Sequence, residues 1–158
     1  MTLFRVLYGV TAATSCLYVF GEYIAEFTML VGPSMEPTLN NSSTENIVVT
    51  EHVTSRLRTL RRGDIVVVRS PQDPRNLVCK RITAMAGDLV DDGASGYLKV
   101  PKGHIWLLGD NQENSTDSRD YGPVPYGLVR GRVCYKVWPL SEFGKIKSPA
   151  IYEEQSLP

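Results

Sequence analysis

The chain of 158 residues has the size of one domain, and its apolar content of 42% is sufficient for a buried core, which argues against intrinsic disorder. Because 17 lysines and arginines balance 17 aspartates and glutamates, no basic surplus indicates a nucleic-acid partner. The three cysteines lack the even number and close spacing of a disulfide framework, and the histidines, His52 and His104, match no Cys/His metal spacing, so no zinc site is expected.

The first predicted element is an apolar helix near the N-terminus. Val6–Gly21 contains no charged residue, and a helix of that length spans about 24 Å, short of a hydrocarbon core of about 30 Å. A start at Leu3, with Arg5 snorkelling toward the headgroups, closes most of the gap. Arg5 also places the N-terminus on the cytoplasm-like side. We predict a membrane anchor rather than a cleaved signal peptide, whose apolar run would be shorter, or a buried core helix.

Strand signals follow the anchor. Short runs rich in β-branched residues alternate with clusters of Gly, Pro and Asp, a pattern that predicts a mostly β body built as a folded antiparallel sheet. The predicted strands are Ile47–Val49, Ile65–Val68, Leu77–Met85, Tyr97–Val100, Ile105–Leu108 and Leu128–Val137. Val53–Leu60 fits a short helix or a loop. The residues after Ser141 are polar and are predicted to be loosely ordered.

A serine lies on stiffened backbone in the segment GPSMEPTL, residues 32–39, which we call the serine segment. Pro33 and Pro37 fix their own φ angles near −65°, and Pro37 pushes Glu36 toward an extended conformation. Gly32 lets another backbone approach closely. Ser34, just beyond an anchor, is therefore placed like a displayed nucleophile, although the segment alone is more typical of a proline-rich linker.

The predicted strand Leu77–Met85 carries a lysine between apolar neighbours. Alternation places Val78, Lys80 and Ile82 on one face, which should be the core side, where desolvation lowers a lysine pKa. At its ordinary pKa of about 10.4, lysine is neutral in about one molecule in 2,500 at pH 7, and a shift of two units raises that fraction about a hundredfold. A neutral amine beside a serine hydroxyl can take its proton. The alternative is an edge lysine that snorkels to water.

A third segment, GDNQENSTDSR at residues 109–119, is too polar for a core, and we call it the polar segment. Its short Asp, Asn and Ser side chains hydrogen-bond to nearby backbone and predict an ordered loop. Asp117 and Arg119 are close enough to pair, and Ser115 can hydrogen-bond an amine and orient it. The alternative is a solvated turn with a surface ion pair.

A serine–histidine–aspartate triad is the competing catalytic arrangement. Its histidine would be His52 or His104, but His104 directly precedes a predicted strand and neither histidine lies in a recognisable motif. The sequence therefore favours the lysine as the base.

Four segments in order resemble the conserved boxes of the type I signal peptidase family. GPSMEPTL (32–39) is similar to its nucleophile box, RRGDIVVV (61–68) to a structural strand box, KRITAMAGD (80–88) to its lysine box, and GDNQENSTDSR (109–119) to its polar support box. One box is a weak match, but four in the family's order behind an N-terminal anchor are specific.

The resemblance implies roles for the matched positions and a fold of the signal peptidase type with one transmembrane helix. Ser34 matches the nucleophile, Lys80 the general base and Ser115 the residue that orients the lysine amine. Asp117 and Arg119 match residues that brace the site. The other matched positions are structural or touch substrate: Gly32, Met35, Pro37, Asp110 and Asn111. The implied reaction needs no metal or organic cofactor.

Gly32 departs from the family pattern. Bacterial members often carry a serine there, whose hydroxyl is an oxyanion-hole donor, whereas glycine has no side chain. The backbone N–H of Ser34 is then the main candidate donor. Loss of one such donor costs about 2.7–4 kcal/mol, so we expect either a second donor or slow turnover.

The compact chain, the single anchor and the run from Gly109 to Val133 followed by WPLSEFG resemble the mitochondrial inner-membrane branch of the family. This likeness implies location in the inner membrane, with the catalytic domain facing the intermembrane space. It also implies precursor polypeptides as substrates, contact with the lipid bilayer, and a hetero-oligomer with a second related protease subunit.

The predicted organisation is an anchor and juxtamembrane segment at 1–28, a β-rich catalytic domain at 29–140 and a polar tail at 141–158. The predicted function is removal of sorting or signal sequences from membrane-translocated precursors through a Ser34–Lys80 dyad and an acyl-enzyme. One alternative is a non-catalytic peptide-binding subunit of the same fold. Another is a self-cleaving repressor, which would need a DNA-binding helix pair where the apolar anchor stands.

Overall fold

The computed structural model describes residues 2–41, 45–91 and 96–146. Its first element is helix α1, Thr2–Tyr23. The stretch Phe4–Tyr23 is long and apolar enough to cross a membrane, and none of its most apolar window is buried against the protein. Because no part of the described protein covers these apolar side chains, α1 is not a core helix, and the predicted anchor is confirmed as a candidate membrane span.

The remaining described elements are mostly short strands. The strands are β1 (Ala25–Leu30), β2 (Asn46–Glu51), β3 (Ile65–Arg69), β4 (Leu77–Met85), β5 (Leu89–Asp91), β6 (Tyr97–Lys99), β7 (His104–Leu108), β8 (Val124–Pro125), β9 (Val129–Trp138) and β10 (Gly144–Lys145). Two one-turn helices, α2 (Val53–Arg56) and α3 (Ser118–Tyr121), interrupt them.

The main sheet has the order β1-β2-β9-β3-β4-β7-β8, with β10 on β9, while β5 and β6 form a separate hairpin. Every pairing between the described strands is antiparallel, as the sequence predicted. Three strands separate β1 from β4, yet residues of both line one cavity, so the sheet must curl.

Strand β3 is buried on both faces. Ile65 and Val67 pack in one apolar cluster with Met35 of the serine segment, whereas Val66 and Val68 pack in a second cluster with residues of β4 and β7. A strand covered on both sides reads as a continuous apolar run, which explains why IVVV shows no alternation. The curled sheet therefore has a core on each side of β3.

The predicted strands are confirmed to within about three residues at their ends. Strands β1, β5, β8 and β10 were not predicted. Strand β1 continues almost directly from α1 without a turn signal, and β8 and β10 are each two residues long. In the undecided stretch Val53–Leu60, helix α2 covers only the first four residues, and Arg58 has a φ of 55°. The prediction of a loosely ordered tail was wrong for its described part, since β10 pairs with β9 and Ile146 packs against an apolar cluster; residues 147–158 lie outside the described residues.

Candidate active site

The serine segment is held by two buried side chains. Met35 and Leu39 are buried in the first apolar cluster, while Ser34 between the prolines stays half-buried. Pro33–Met35 forms a single 3-10 turn, and Glu36 is extended before a cis peptide bond to Pro37, as the prediction for a residue preceding proline required. The segment thus anchors its apolar residues and presents its hydroxyl.

Lys80 is buried in the middle of β4, where only 3% of its surface is exposed. Its cross-strand partner is Val66, a member of the second apolar cluster. Burial lowers the pKa of Lys80 from its ordinary value, and the negative charge of Asp117 opposes only part of that change. The predicted burial of this lysine is therefore confirmed, and a larger fraction of the amine is neutral than for an exposed lysine.

Ser34 and Lys80 line the same cavity of about 270 Å³. Its walls come from the end of β1 and the residues after it, from the serine segment including Gly32 and Met35, and from the first half of β4. Within the part of the chain that the structure describes, no hydrogen bond joins the Ser34 hydroxyl to the Lys80 amine. In enzymes without bound substrate such bonds are often long and shorten when substrate arrives.

Asp117 organises the polar segment. Its carboxylate is fully buried and accepts hydrogen bonds from the Gly109 backbone N–H at 3.0 Å, the Ser115 hydroxyl at 2.8 Å and Arg119 Nε at 2.9 Å. Burial raises the pKa of Asp117, but the hydrogen bonds from Arg119, Gly109 and Ser115 outweigh it and hold that pKa below its ordinary value. Asp117 is therefore an anion whose field reaches Lys80.

The Ser115 hydroxyl has a fixed direction because it donates its proton to Asp117 Oδ2. A hydroxyl has one proton and two lone pairs, so toward any third group Ser115 acts only as an acceptor. That property suits a partner for an amine N–H. No hydrogen bond between Ser115 and Lys80 is formed among the described residues.

Gly109 lies where the polar segment meets the serine segment. A Cβ at this position would lie 2.3 Å from Ser115 Oγ and 2.5 Å from the Ser34 carbonyl oxygen. The same carbonyl accepts a hydrogen bond from the Asn111 backbone N–H at 3.1 Å. Glycine therefore allows the Ser34 backbone to pack against the polar segment, a role of Gly109 that was not predicted from the sequence.

A buried ion pair behind the serine segment was also missed. Arg81, 3% exposed, donates from Nε and Nη2 to the two Asp110 carboxylate oxygens at 2.7 and 2.6 Å. Asp110 also accepts a hydrogen bond from the Thr38 hydroxyl at 2.6 Å, and Arg81 donates to the Gly63 carbonyl. The only signal in the sequence is an arginine next to the buried lysine.

Pro37 and the two histidines do not line the cavity that holds Ser34. Pro37 is exposed and lies outside the cavity lining, so it shapes the segment rather than the cavity wall. His52 Nδ1 lies 2.9 Å from the Arg130 carbonyl oxygen, and His104 Nδ1 lies 3.1 Å from the Lys102 carbonyl oxygen. Neither histidine lines the cavity that holds Ser34, so the geometry disfavours the triad.

The chain is similar to several known proteins. A family model described as "Signal peptidase, peptidase S26" matches residues 3–98 and 91–138. The Homo sapiens mitochondrial inner membrane protease subunit 1 is 45% identical over 148 residues, covering 90% of this chain and 87% of that protein. The Arabidopsis thaliana mitochondrial ATP-independent inner membrane protease subunit 1a is 45% identical over 139 residues, covering 83% and 81%. The Danio rerio mitochondrial inner membrane protease subunit 2 is 36% identical over 130 residues, covering 80% and 71%.

Proposed function

The chain belongs to the signal peptidase family, peptidase S26, and from that premise we propose that it is a membrane-bound serine endopeptidase with Ser34 as nucleophile and Lys80 as general base. The observation that carries this proposal is the shared cavity, in which a half-buried serine and a buried lysine with a lowered pKa face the same space. The substrates are sorting or signal sequences of membrane-translocated precursor polypeptides.

The reaction proceeds through an acyl-enzyme. Neutral Lys80 takes the proton of the Ser34 hydroxyl as Oγ attacks the scissile carbonyl carbon, giving a tetrahedral oxyanion. The ammonium then donates that proton to the leaving amine as the C–N bond breaks. Water attacks the acyl-enzyme next as Lys80 accepts a proton from that water, and the Lys80 ammonium then returns this proton to Ser34 Oγ as the ester C–O bond breaks, which releases the acid and restores the neutral amine and the hydroxyl.

Two neighbours assist Lys80. Ser115, whose proton is committed to Asp117, accepts a hydrogen bond from the lysine amine when the substrate closes the site, and this directs the nitrogen lone pair toward Ser34. The buried negative charge of Asp117 stabilises the ammonium that forms in the first step. Arg119 holds the Asp117 carboxylate in place through paired hydrogen bonds.

The oxyanion needs donors on the serine segment. The Ser34 backbone N–H is the candidate donor, since Gly32 has no hydroxyl. The Gly32 φ of 104° and ψ of 161° lie in a region that only glycine adopts readily. A serine donor cannot enter this position without backbone strain of about 1–3 kcal/mol, so the segment is built around a backbone donor instead.

The anchor and the named relatives support the site of action. Helix α1 is long enough to cross a bilayer, and the relatives are named for the mitochondrial inner membrane. We place the protein there, with α1 as the anchor and the β-rich body, which includes β1 and β10, as the catalytic domain in the intermembrane space. The relative named subunit 2 supports a hetero-oligomer with a second protease subunit.

The test is precursor cleavage by full-length Ser34→Ala and Lys80→Met variants in proteoliposomes. Because each variant lacks one member of the dyad, we expect cleavage to fall below about one thousandth of the parent rate. Exposed residues supply matched controls, Ser141→Ala and Lys99→Met, which should keep the parent rate.

The folded state of all four variants is checked by circular dichroism and thermal unfolding. Cleavage at the parent rate by either dyad variant would refute the dyad. A parent protein that binds the precursor and never cleaves it would favour the non-catalytic peptide-binding subunit.

A further inference from the structure

A second cavity, of about 340 Å³, has a strongly basic lining and no role in the proposed reaction. It lies between α2 with the residues that follow, the end of β3, and the start of β9. Of its nine lining residues four are arginines, and none is a carboxylate: Arg56, Arg58, Arg69 and Arg130. We call it the arginine cavity.

Among the described residues, Arg130 is the one of these four arginines that forms a direct ion pair. Arg130 forms ion pairs with Glu22 and Glu26. Across the described ranges 2–41, 45–91 and 96–146, no carboxylate oxygen lies within 4.0 Å of the guanidinium nitrogens of Arg56, Arg58 or Arg69. The chain as a whole has zero net charge, whereas the four arginines face only the carboxylates of Glu22 and Glu26, so the local surplus of two positive charges around this cavity favours an anion.

The guanidinium groups without ion pairs are held in place by other contacts. Arg58 lies over the ring of Tyr126, with 5.9 Å from its guanidinium carbon to the ring centre. Arg69 donates to the Pro74 carbonyl oxygen at 3.3 Å. These contacts leave further N–H groups of each guanidinium for a ligand, because arginine carries five donors.

The arginine cavity lies beside the point where the chain leaves α1. Arg56 donates to the Glu22 carbonyl oxygen at 2.8 Å, and its guanidinium carbon lies 4.3 Å from the ring centre of Tyr23, the last residue of α1. Arg130 pairs with the Glu22 side chain. With α1 in a bilayer, these contacts put the cavity at the level of the headgroups on the side that faces the catalytic domain.

We propose that the arginine cavity binds the phosphate of an anionic phospholipid headgroup. Planar guanidinium forks match phosphate oxygens in pairs and are more weakly hydrated than ammonium groups, which suits a partly enclosed site. A free phosphate ion offers the same oxygens, but the position at the end of the anchor favours a ligand that is concentrated in the headgroup layer. This assignment requires α1 to lie in a membrane and does not depend on the peptidase reaction.

The proposal is tested by binding of short-chain lipids to the full-length protein in a neutral detergent. Dihexanoyl phosphatidylglycerol is titrated against the parent and the Arg58→Gln/Arg69→Gln variant, with thermal stabilisation as the readout. Each arginine near a headgroup contributes about a fivefold gain in affinity, so we expect the double variant to bind about 25-fold more weakly. The control variant, Arg61→Gln/Lys102→Gln, removes two exposed charges outside the cavity and should bind like the parent.

Dihexanoyl phosphatidylcholine and inorganic phosphate separate the possible ligands. The assignment is supported if the parent binds both of these compounds more weakly than it binds dihexanoyl phosphatidylglycerol, and if only the Arg58→Gln/Arg69→Gln variant loses affinity for phosphatidylglycerol. Equal loss in both double variants shows general attraction and overturns the site. Equal affinity for phosphatidylcholine overturns the anionic ligand, and equal affinity for inorganic phosphate overturns the lipid source. Because binding rather than cleavage is measured, failure of the proposed dyad leaves this result unchanged.

Discussion

At the scale of single residues, the tightest constraint on the site is the contact between Gly109 and the Ser34 carbonyl oxygen. The space beside Gly109 is closed by the Ser115 side chain and by the backbone of Ser34. The hydrogen bond from Asn111 to the same carbonyl fixes the distance between the two segments. A change of one carbon at this glycine therefore displaces Ser34 itself.

We predict that Gly109→Ala lowers kcat for precursor cleavage by at least tenfold and costs about 1–3 kcal/mol of unfolding free energy, because the added methyl overpacks the contact. A displacement of about 1 Å at a reacting group is enough for a larger loss of rate. Gly144→Ala is the matched control, since its Cβ would meet no atom within 4 Å. Equal activities of the two variants would contradict the assigned contact.

The buried amine of Lys80 predicts how activity depends on pH. Burial lowers the pKa of Lys80, so if its neutral amine is the base, as proposed, kcat/KM should rise with pH through a midpoint below lysine's ordinary 10.5. A profile whose acid limb has its midpoint at or above 10.5 would contradict a buried base.

The stability of the folded protein should also depend on pH through the charge of Lys80. Below its folded-state pKa, Lys80 is charged in both states and its burial penalises the folded protein. That penalty fades as pH rises from the folded-state pKa to the unfolded value of about 10.5. Lys80→Met should therefore be at least as stable as the parent at pH 7, which thermal unfolding measures.

At the scale of elements, the serine segment is fastened to β4 by Arg81. The arginine joins Asp110 of the polar segment, Thr38 of the serine segment and the Gly63 carbonyl before β3. Lys80 and Arg81 are consecutive, so one strand positions the Lys80 amine on one face and braces the serine segment with Arg81 on the other.

We predict that Arg81→Met costs about 3–5 kcal/mol, because it leaves the Asp110 carboxylate partly buried and unpaired. Exposed Arg75→Met should change stability by less than about 0.5 kcal/mol. Chemical denaturation of both variants measures the difference. A loss below about 1 kcal/mol for Arg81→Met would show that the pair does not hold the elements together.

The elements also show what could be read from the sequence. Alternation in β4 correctly placed Lys80 in the core, since both neighbours on its face are apolar. The burial of Arg81 was not predicted, because arginine is ordinarily exposed and the residue that buries it, Asp110, lies 29 positions along the chain. Strand β1 was missed for a similar reason: it pairs with β2, which lies further along the chain, and its own sequence looks like a continuation of the apolar helix.

At the scale of the whole molecule, the site exists only because the sheet curls. The cavity wall combines the end of β1, the serine segment and the first half of β4, elements that are far apart in the sheet order. No local sequence pattern specifies how the sheet curls. The fold was predicted only because the four segments resemble the signal peptidase family in their order. In the proposed function, α1 holds this cavity close to the bilayer, where a tethered precursor reaches it at high effective concentration.

The most direct measurement is to trap the acyl-enzyme. Full-length protein is mixed with a peptide ester, quenched in acid within one turnover, and analysed by tandem mass spectrometry, with Lys80→Met treated in parallel. We expect the acyl group on Ser34 of the parent and no adduct on Lys80→Met in the same time. An adduct on another residue, or acylation of Ser34 at the parent rate without Lys80, would contradict activation of the serine by the buried lysine.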